Sequence, residues 1–298
     1  MFVIKYRKIF FGISLVAAAL SLGAIGFLGL NLGIDFTGGS IVELNYGADR
    51  PEIAELRQAL EESDFSEATI QPAGEESIIF RLGALDEGQK EAFIDIVSIG
   101  NQEVREDRFS AIGPTLSSEL SFRGVIAVIL VVLLIVFFIA FVFRGVSRPV
   151  SSWVYGGIAI VALLHDVIIP AGIFAVLGHL YGIEIDTLFL TAVLTILGLS
   201  VNDTIVVFDR IRENLQKKVS KDFSETVGIS LQQTFARSIN TSLTVIIVLL
   251  ALYFLGGTTT REFALVLLIG AFVGTYSSIF LASPLLVAWE KWQKKSNQ

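Results

Sequence analysis

The sequence predicts a polytopic α-helical membrane protein: six transmembrane helices, with a small α+β domain of ferredoxin-like order inserted between the first and the second. Three observations carry this expectation. The 298 residues are 53% apolar and only 17% charged, with a mean hydropathy of +0.70, whereas a soluble domain carries about 25% charge. The apolar residues fall into six runs, 9–30, 123–143, 153–178, 187–208, 238–255 and 263–288, each at or near the roughly 20 residues that a spanning helix needs. The charge is also segregated. Residues 31–121 hold 19 acidic and 6 basic side chains, net −13, and the remainder holds 10 and 16, net +6.

Taken in order, residues 1–8 bring Lys5, Arg7 and Lys8 ahead of the first run. Signal peptides begin the same way, but their apolar core is about 7–15 residues long. The run 9–30 is longer and lacks a convincing cleavage site, so it reads as an uncleaved anchor. Where the chain leaves the membrane it carries Asp35-Phe36-Thr37-Gly38-Gly39. Paired glycines permit a sharp turn, which makes Asp35, Gly38 and Gly39 a candidate hinge into the insertion, residues 31–122. Within it, Ser40–Tyr46 is strand-like, and Ile53, Leu56 and Leu60 have helical spacing over 52–62. Residues 68–71 and 77–82 are short strands separated by the turn-like Pro72-Ala73-Gly74. A second helix over 86–99 presents Phe93, Ile96 and Val97, and 102–112 supplies a last strand. The order β-α-β-β-α-β is the ferredoxin-like one. The acidity of this insertion suits either a solvated surface or an interaction face.

Basic residues orient the bundle. Arg144 and Arg148 follow the second run; Arg210, Arg212, Lys217, Lys218, Lys221 and Arg237 follow the fourth; Lys291, Lys294 and Lys295 fall in 289–298, after the sixth. With six spans these clusters and the N-terminus share one side, which the positive-inside rule makes the cytoplasm. Both termini are then cytoplasmic and the insertion is exported. The absence of cysteine removes disulfides and thiolate metal sites. His165 and His179 lack metal-binding spacing, so no metal is expected, and His179, Glu184 and Asp186 sit in a loop without a special role.

Polar residues inside the apolar runs are the functional candidates. A charged residue at the centre of a spanning helix costs about 2.5–3.5 kcal/mol on insertion scales, so one that is present moves protons, binds an ion or pairs with another charge. Asp203, flanked by Asn202 and Thr204, lies near the end of the fourth run. It is either an interfacial carboxylate reaching water or, because 210–214 is also helical in pattern, a mid-helix group. Arg237 opens the fifth run in the stretch RSINTS, with Asn240 beside it. It is either an ordinary positive-inside residue or a partner entering the membrane at the depth of Asp203. An Asp–Arg contact there can switch on protonation. His165-Asp166 lies near the middle of the third run, with Pro170 one turn later. It is either a satisfied interhelical pair or a relay. Gly270 and Gly274 form a GxxxG spacing that lets helices approach closely.

Several of these stretches run together in order through nearly the whole chain: DFTGG at 35–39, IGPTLSSEL at 112–120, ALLHDV at 162–167, SVNDTIVVFDRIREN at 200–214, RSINTS at 237–242 and LIGAFVGTYSSI at 268–279. In this the sequence resembles the SecF family, the smaller subunits of SecDF protein-export complexes within the resistance–nodulation–division superfamily. It has no counterpart of the larger exported domain and second six-span half expected of SecD, so the resemblance is to a separate SecF subunit and not to a fused SecDF. The resemblance implies a non-enzymatic, proton-driven accessory in the bacterial inner membrane. It would work with SecD beside the SecYEG translocon and YajC, pulling or releasing preproteins on the outer side. It implies no cofactor and no nucleic acid, only membrane lipids around the bundle, with H+ as the coupling ion and Na+ the alternative. It assigns proton transport to Asp203 and Arg237, with His165-Asp166 in a family motif of less defined role. Three other readings stand beside it. A superfamily half exporting a lipid or small molecule needs more exported volume than residues 31–122 offer. An intramembrane aspartyl protease needs Asp166 and Asp203 at one water. A structural scaffold predicts that Asp203 and Arg237 tolerate neutral replacement.

Overall fold

The structure, a computed structural model, describes residues 2–47, 50–99, 104–144 and 149–296, the side chains of 258 and 259 apart. Arg148 and the first two residues of the expected strand 102–112 lie outside the described residues. The chain divides into a membrane unit, Met1–Asn31 with Ile126–Gln298, and an inserted unit, Leu32–Val125.

In the membrane unit, a short α1 (Phe2–Lys5) precedes α2 (Arg7–Leu28). The inserted unit follows with α3 (Ile34–Thr37), β1 (Gly39–Asn45), α4 (Ile53–Glu61), β2 (Thr69–Ala73), β3 (Ser77–Leu82), α5 (Glu87–Val97) and β4 (Arg105–Ile112). Helix α6 (Pro114–Val142) contributes residues to both units, and Pro114 opens it at the position where a missing N–H costs nothing. The membrane unit then continues with α7 (Ser152–Tyr181), α8 (Thr187–Gln216), α9 (Phe223–Leu255) and α10 (Thr258–Tyr276). A π-helical turn (Ser277–Ala282) and α11 (Ser283–Ser296) complete it. Among the described residues six helices are long and apolar enough to cross a membrane: α2, α6, α7, α8, α9 and the continuous stretch 260–296.

The sheet of the inserted unit has the order β2-β3-β1-β4 with every neighbouring pair antiparallel, the ferredoxin-like arrangement. Alternation along the strands sorts the residues. Val42 and Leu44 of β1 and Ile78 and Phe80 of β3 are fully buried with Leu56 of α4 and Phe93 and Val97 of α5. The ring of Phe93 meets Phe65 and Phe80 edge-on at 5.4 and 5.2 Å. Helix α5 starts in a capping box: Asp86 accepts from Gln89 N at 2.8 Å and Asp86 N donates to the Gln89 side chain at 3.1 Å. Pro72 and Ala73 lie inside β2 and not in a turn; the turn is Gly74-Glu75-Glu76. β2 is an edge strand, where a proline's missing donor can face away from the sheet.

Tyr46 is buried beneath this core and its hydroxyl donates to the Val97 carbonyl at 3.2 Å. Burial pushes its pKa up. A raised folded-state pKa gives stability that is whole below about pH 10, the ordinary tyrosine value, and is lost as pH rises beyond it. Replacing Tyr46 with Phe should cost about 1 kcal/mol at neutral pH and blunt the alkaline loss. Urea-dependent proteolysis of the inserted unit at neutral and alkaline pH checks both signs.

Small residues bring the membrane helices together. A Cβ added at Gly172 of α7 would sit 2.4 Å from the Ser21 Cα of α2, and one at Gly270 of α10 would sit 2.1 Å from Ile196 of α8. One at Gly274 would meet the Ser200 Cβ at 3.0 Å, so the GxxxG spacing is where α10 seats on α8. Gly172→Ala should therefore destabilise the bundle by about 1–3 kcal/mol, as overpacking does. Gly198→Ala, where nothing lies within 4 Å, should be close to neutral. Thermal unfolding in detergent separates the two.

Helices α8 and α9 run past their apolar stretches, α8 to Gln216 and α9 from Phe223. At about 1.5 Å per residue α9 is roughly 50 Å long, against an apolar layer of about 30 Å. The overhang has its own packing: Ile211 and Asn214 face Thr226, Val227, Ser230 and Leu231, all buried. Asn214 Nδ2 donates to Ser230 Oγ at 2.8 Å and to Gln233 Oε1 at 2.9 Å.

Candidate functional site

Helix α7 carries His165-Asp166 on its most deeply packed face, with Ala159, Ala162 and Ile169. The Asp166 side chain is inaccessible to solvent (0% exposed). Its Oδ2 accepts from Ser277 Oγ at 2.7 Å and from the Ser200 hydroxyl, and its Oδ1 lies 3.0 Å from His165 Nδ1. The His165 ring stacks on Tyr276, centroids 6.1 Å apart, and Tyr276 donates its hydroxyl proton to the Phe10 carbonyl of α2 at 2.9 Å. The other ring nitrogen, Nε2, is buried without a hydrogen-bond partner.

Two of these partners depend on the π-helical turn. A π turn widens the helix by one residue, and here consecutive serines both meet buried partners. Ser277 reaches Asp166 of α7, while Ser278 lies 2.8 Å from Thr204 Oγ1 of α8 and donates to the Ser200 carbonyl at 3.3 Å. Helix α8 holds the complementary set at i, i+3 and i+4: Ser200, Asp203 and Thr204.

Asp203 is half-buried inside the span of α8. Ser242 Oγ of α9 lies 3.4 Å from its Oδ2, and Thr275 Oγ1 of α10 is 2.6 Å from that same serine hydroxyl. Between these helices is a cavity of about 40 Å³ whose polar lining is Ser200, Asn202, Asp203, Thr241, Ser242 and Thr275. A space of this size and polarity can hold a water molecule.

The other candidates lie apart from it. Arg237 is exposed on α9 and forms no ion pair with Asp203. It precedes the cavity residue Thr241 by one helical turn, so its long side chain lies toward the α9 N-terminal end of the cavity. Asn240 is exposed too, and its carbonyl accepts from Thr244 at 2.8 Å. The face of α9 turned inward is Ser238, Ser242, Ile246 and Leu249, which rotates Asn240 outward. Asp35, Gly38 and Gly39 all belong to the inserted unit. Asp186, expected to have no role, caps α8 by accepting from Phe189 N at 2.8 Å. Asp166 and Asp203 have separate partners, Asp166 the Ser200 and Ser277 hydroxyls and Asp203 that of Ser242. No group of three metal-ligating side chains occurs among the described residues.

Sequence reading missed the hydroxyls Ser200, Ser242, Thr275 and Ser277. Their signal was present, since each stands at one or more turns from another hydroxyl or carboxylate in an otherwise apolar stretch.

The family model described as protein export membrane protein SecD/SecF, C-terminal, matches residues 93–292, and the SecD/SecF GG motif matches 23–49. The chain belongs to the SecD/SecF family. Among similar proteins, a protein translocase subunit SecF of Thermobaculum terrenum is 44% identical over 97% of this chain and 93% of its own. One from Anaerolinea thermophila is 39% identical over 95% and 92%. The solved SecDF of Thermus thermophilus, described as a translocon-associated membrane protein, matches with a TM-score of 0.85 at 35% identity. That match covers 97% of this chain, which spans 38% of the length of the larger protein. The chain is thus a multi-pass member of this family with the family's GG motif at Gly38-Gly39.

Proposed function

We propose that the chain acts with a SecD partner in the bacterial cytoplasmic membrane, using the proton-motive force to assist late translocation and release of preproteins delivered by SecYEG with YajC. It is a transport subunit and not an enzyme. The observation that carries this reading is Asp203, a carboxylate within a spanning helix that opens on a polar cavity shared by α8, α9 and α10. Family membership supports the export role, and basic residues after α6, at and beyond the end of α8 and near the C-terminal end of α11 support cytoplasmic termini with the inserted unit outside.

The energy is sufficient. Each proton crossing the membrane potential supplies about 2.3 kcal/mol per 100 mV, and a few kcal/mol shifts a two-state equilibrium by one to two orders of magnitude. Protonating Asp203 removes the charge that Ser242, itself held by Thr275, solvates, and Arg237, one turn before the cavity residue Thr241, then faces a neutral site. The α8–α9–α10 contact is the element whose two packings this charge biases.

The test is preprotein release from vesicles carrying the chain with its SecD partner, measured with a proton gradient and with the gradient collapsed by an ionophore. Release that ignores the gradient would refute proton coupling. A sodium gradient that alone restores release would replace H+ by Na+ as the driving ion.

A further inference from the structure

Asp166 has no place in a mechanism confined to Asp203 and Arg237, yet it is the most completely enclosed carboxylate of the membrane unit. Its hydrogen bonds come from Ser277 and Ser200 on one oxygen and His165 on the other. No lysine or arginine is among them, and an unpaired charge buried at this depth is costly. The titratable groups that face the pair are few. Tyr276 stacks on His165 from the start of the π turn, and on α8 the charged neighbour is Asp203, one turn from Ser200. The part of α2 that meets Tyr276 offers the carbonyl of Phe10.

Ser200 belongs to both places. Its hydroxyl donates to Asp166 Oδ2, and the same residue lines the cavity onto which Asp203 opens. We infer that His165–Asp166 is a second proton-binding station, joined to Asp203 through the Ser200 hydroxyl and the cavity between them. The inference rests on the proton-coupled reading of Asp203.

The transfer balances. A proton released by the Asp203 carboxyl passes to a water in the cavity, and that water gives one to Ser200 Oγ. Ser200 passes its original hydroxyl proton to Asp166 Oδ2, so one proton enters and one leaves each carrier. Rotation of the Ser200 hydroxyl resets the link, and the reverse direction uses the same atoms. Asp166 shares the arriving proton with His165 Nδ1, whose ring is held in place by Tyr276. The π-helical turn fixes the geometry, because it delivers Ser277 to Asp166 and Ser278 to the α8 backbone at Ser200.

Infrared titration of the full chain in lipid vesicles reads buried carboxyl groups directly, and Asp166→Asn and Asp203→Asn assign the bands. Two titrating bands are expected, with loss of Asp166 moving the Asp203 midpoint by about one pH unit, as coupled sites do. Ser200→Ala should keep both bands and slow gradient-driven release about tenfold or more in vesicles that also hold the SecD partner, while Ser200→Thr, which retains the hydroxyl, restores it. A single titrating band that Asp166→Asn leaves in place, with wild-type release in Ser200→Ala, would overturn the inference. If wild-type release ignores the gradient while two coupled bands are present, the export reading fails and the second station stands.

Discussion

Vesicles carrying Asp203→Asn should release preprotein at the rate seen with the gradient collapsed, while the SecD partner still co-purifies. Asparagine is nearly isosteric with aspartate and still accepts from Ser242, so α8, α9 and α10 have no steric reason to separate. What disappears is the ability to carry a charge in one state and none in the other. A ligand or proton shifts an equilibrium only by its differential effect on the two states, and a side chain with one charge state has none to offer. Asp203→Glu should retain part of the response, because the carboxyl persists but is displaced by one methylene in a cavity of about 40 Å³. Full gradient-driven release by Asp203→Asn would remove this residue from the coupling path and favour a scaffold role.

Gly39→Ala should unravel the start of β1. The backbone at Gly39 has φ 128°, a conformation that L side chains rarely adopt, and an added Cβ would lie 2.5 Å from the Leu82 carbonyl oxygen of the paired strand β3. That atom is backbone and cannot rotate away, so either the strand pair parts or φ must change. Strain of this kind costs about 1–3 kcal/mol by itself, and the clash adds to it, giving about 2–4 kcal/mol. Gly74→Ala is the informative control. Its φ of 75° is also left-handed, but nothing lies within 4 Å, so only conformational strain of about 1–2 kcal/mol applies. Amide hydrogen exchange across β1 and β3 should show lost protection in the first variant and a small change in the second. Equal effects would mean that the Leu82 contact is unimportant.

The paired glycines were legible from sequence as a turn, but not for this reason. Sequence reading made them a hinge, whereas Gly39 owes its place to close approach between two strands, a distance no local pattern encodes. Other parts of the fold were more transparent. The run Ser77–Leu82 stands out because β-branched and aromatic residues are bounded by turn formers, and α5 declares itself through Asp86 and Gln89. The six spans follow from apolar length alone. The N-terminal part of α9 was hidden because hydropathy detects what lipid contacts, and Phe223–Ala236 packs instead on the overhang of α8. The polar cluster was partly hidden for a related reason. His165, Asp166 and Asp203 are conspicuous in apolar surroundings, but the serines that complete the cluster depend on how α10 is rotated, and that rotation is set by one extra residue in the turn Ser277–Ala282.

The two rims of the four-stranded sheet also bear on where this domain can work. On one side β2 carries Pro72, which has no donor to offer, and on the other β4 begins Arg105-Glu106-Asp107-Arg108. Both devices discourage a stray strand from adding to a sheet. In the proposed export role, a domain stationed where extended polypeptide emerges would otherwise act as a template, capturing cargo as a permanent extra strand. In that role these edges would let it stay beside unfolded chain without becoming part of an aggregate.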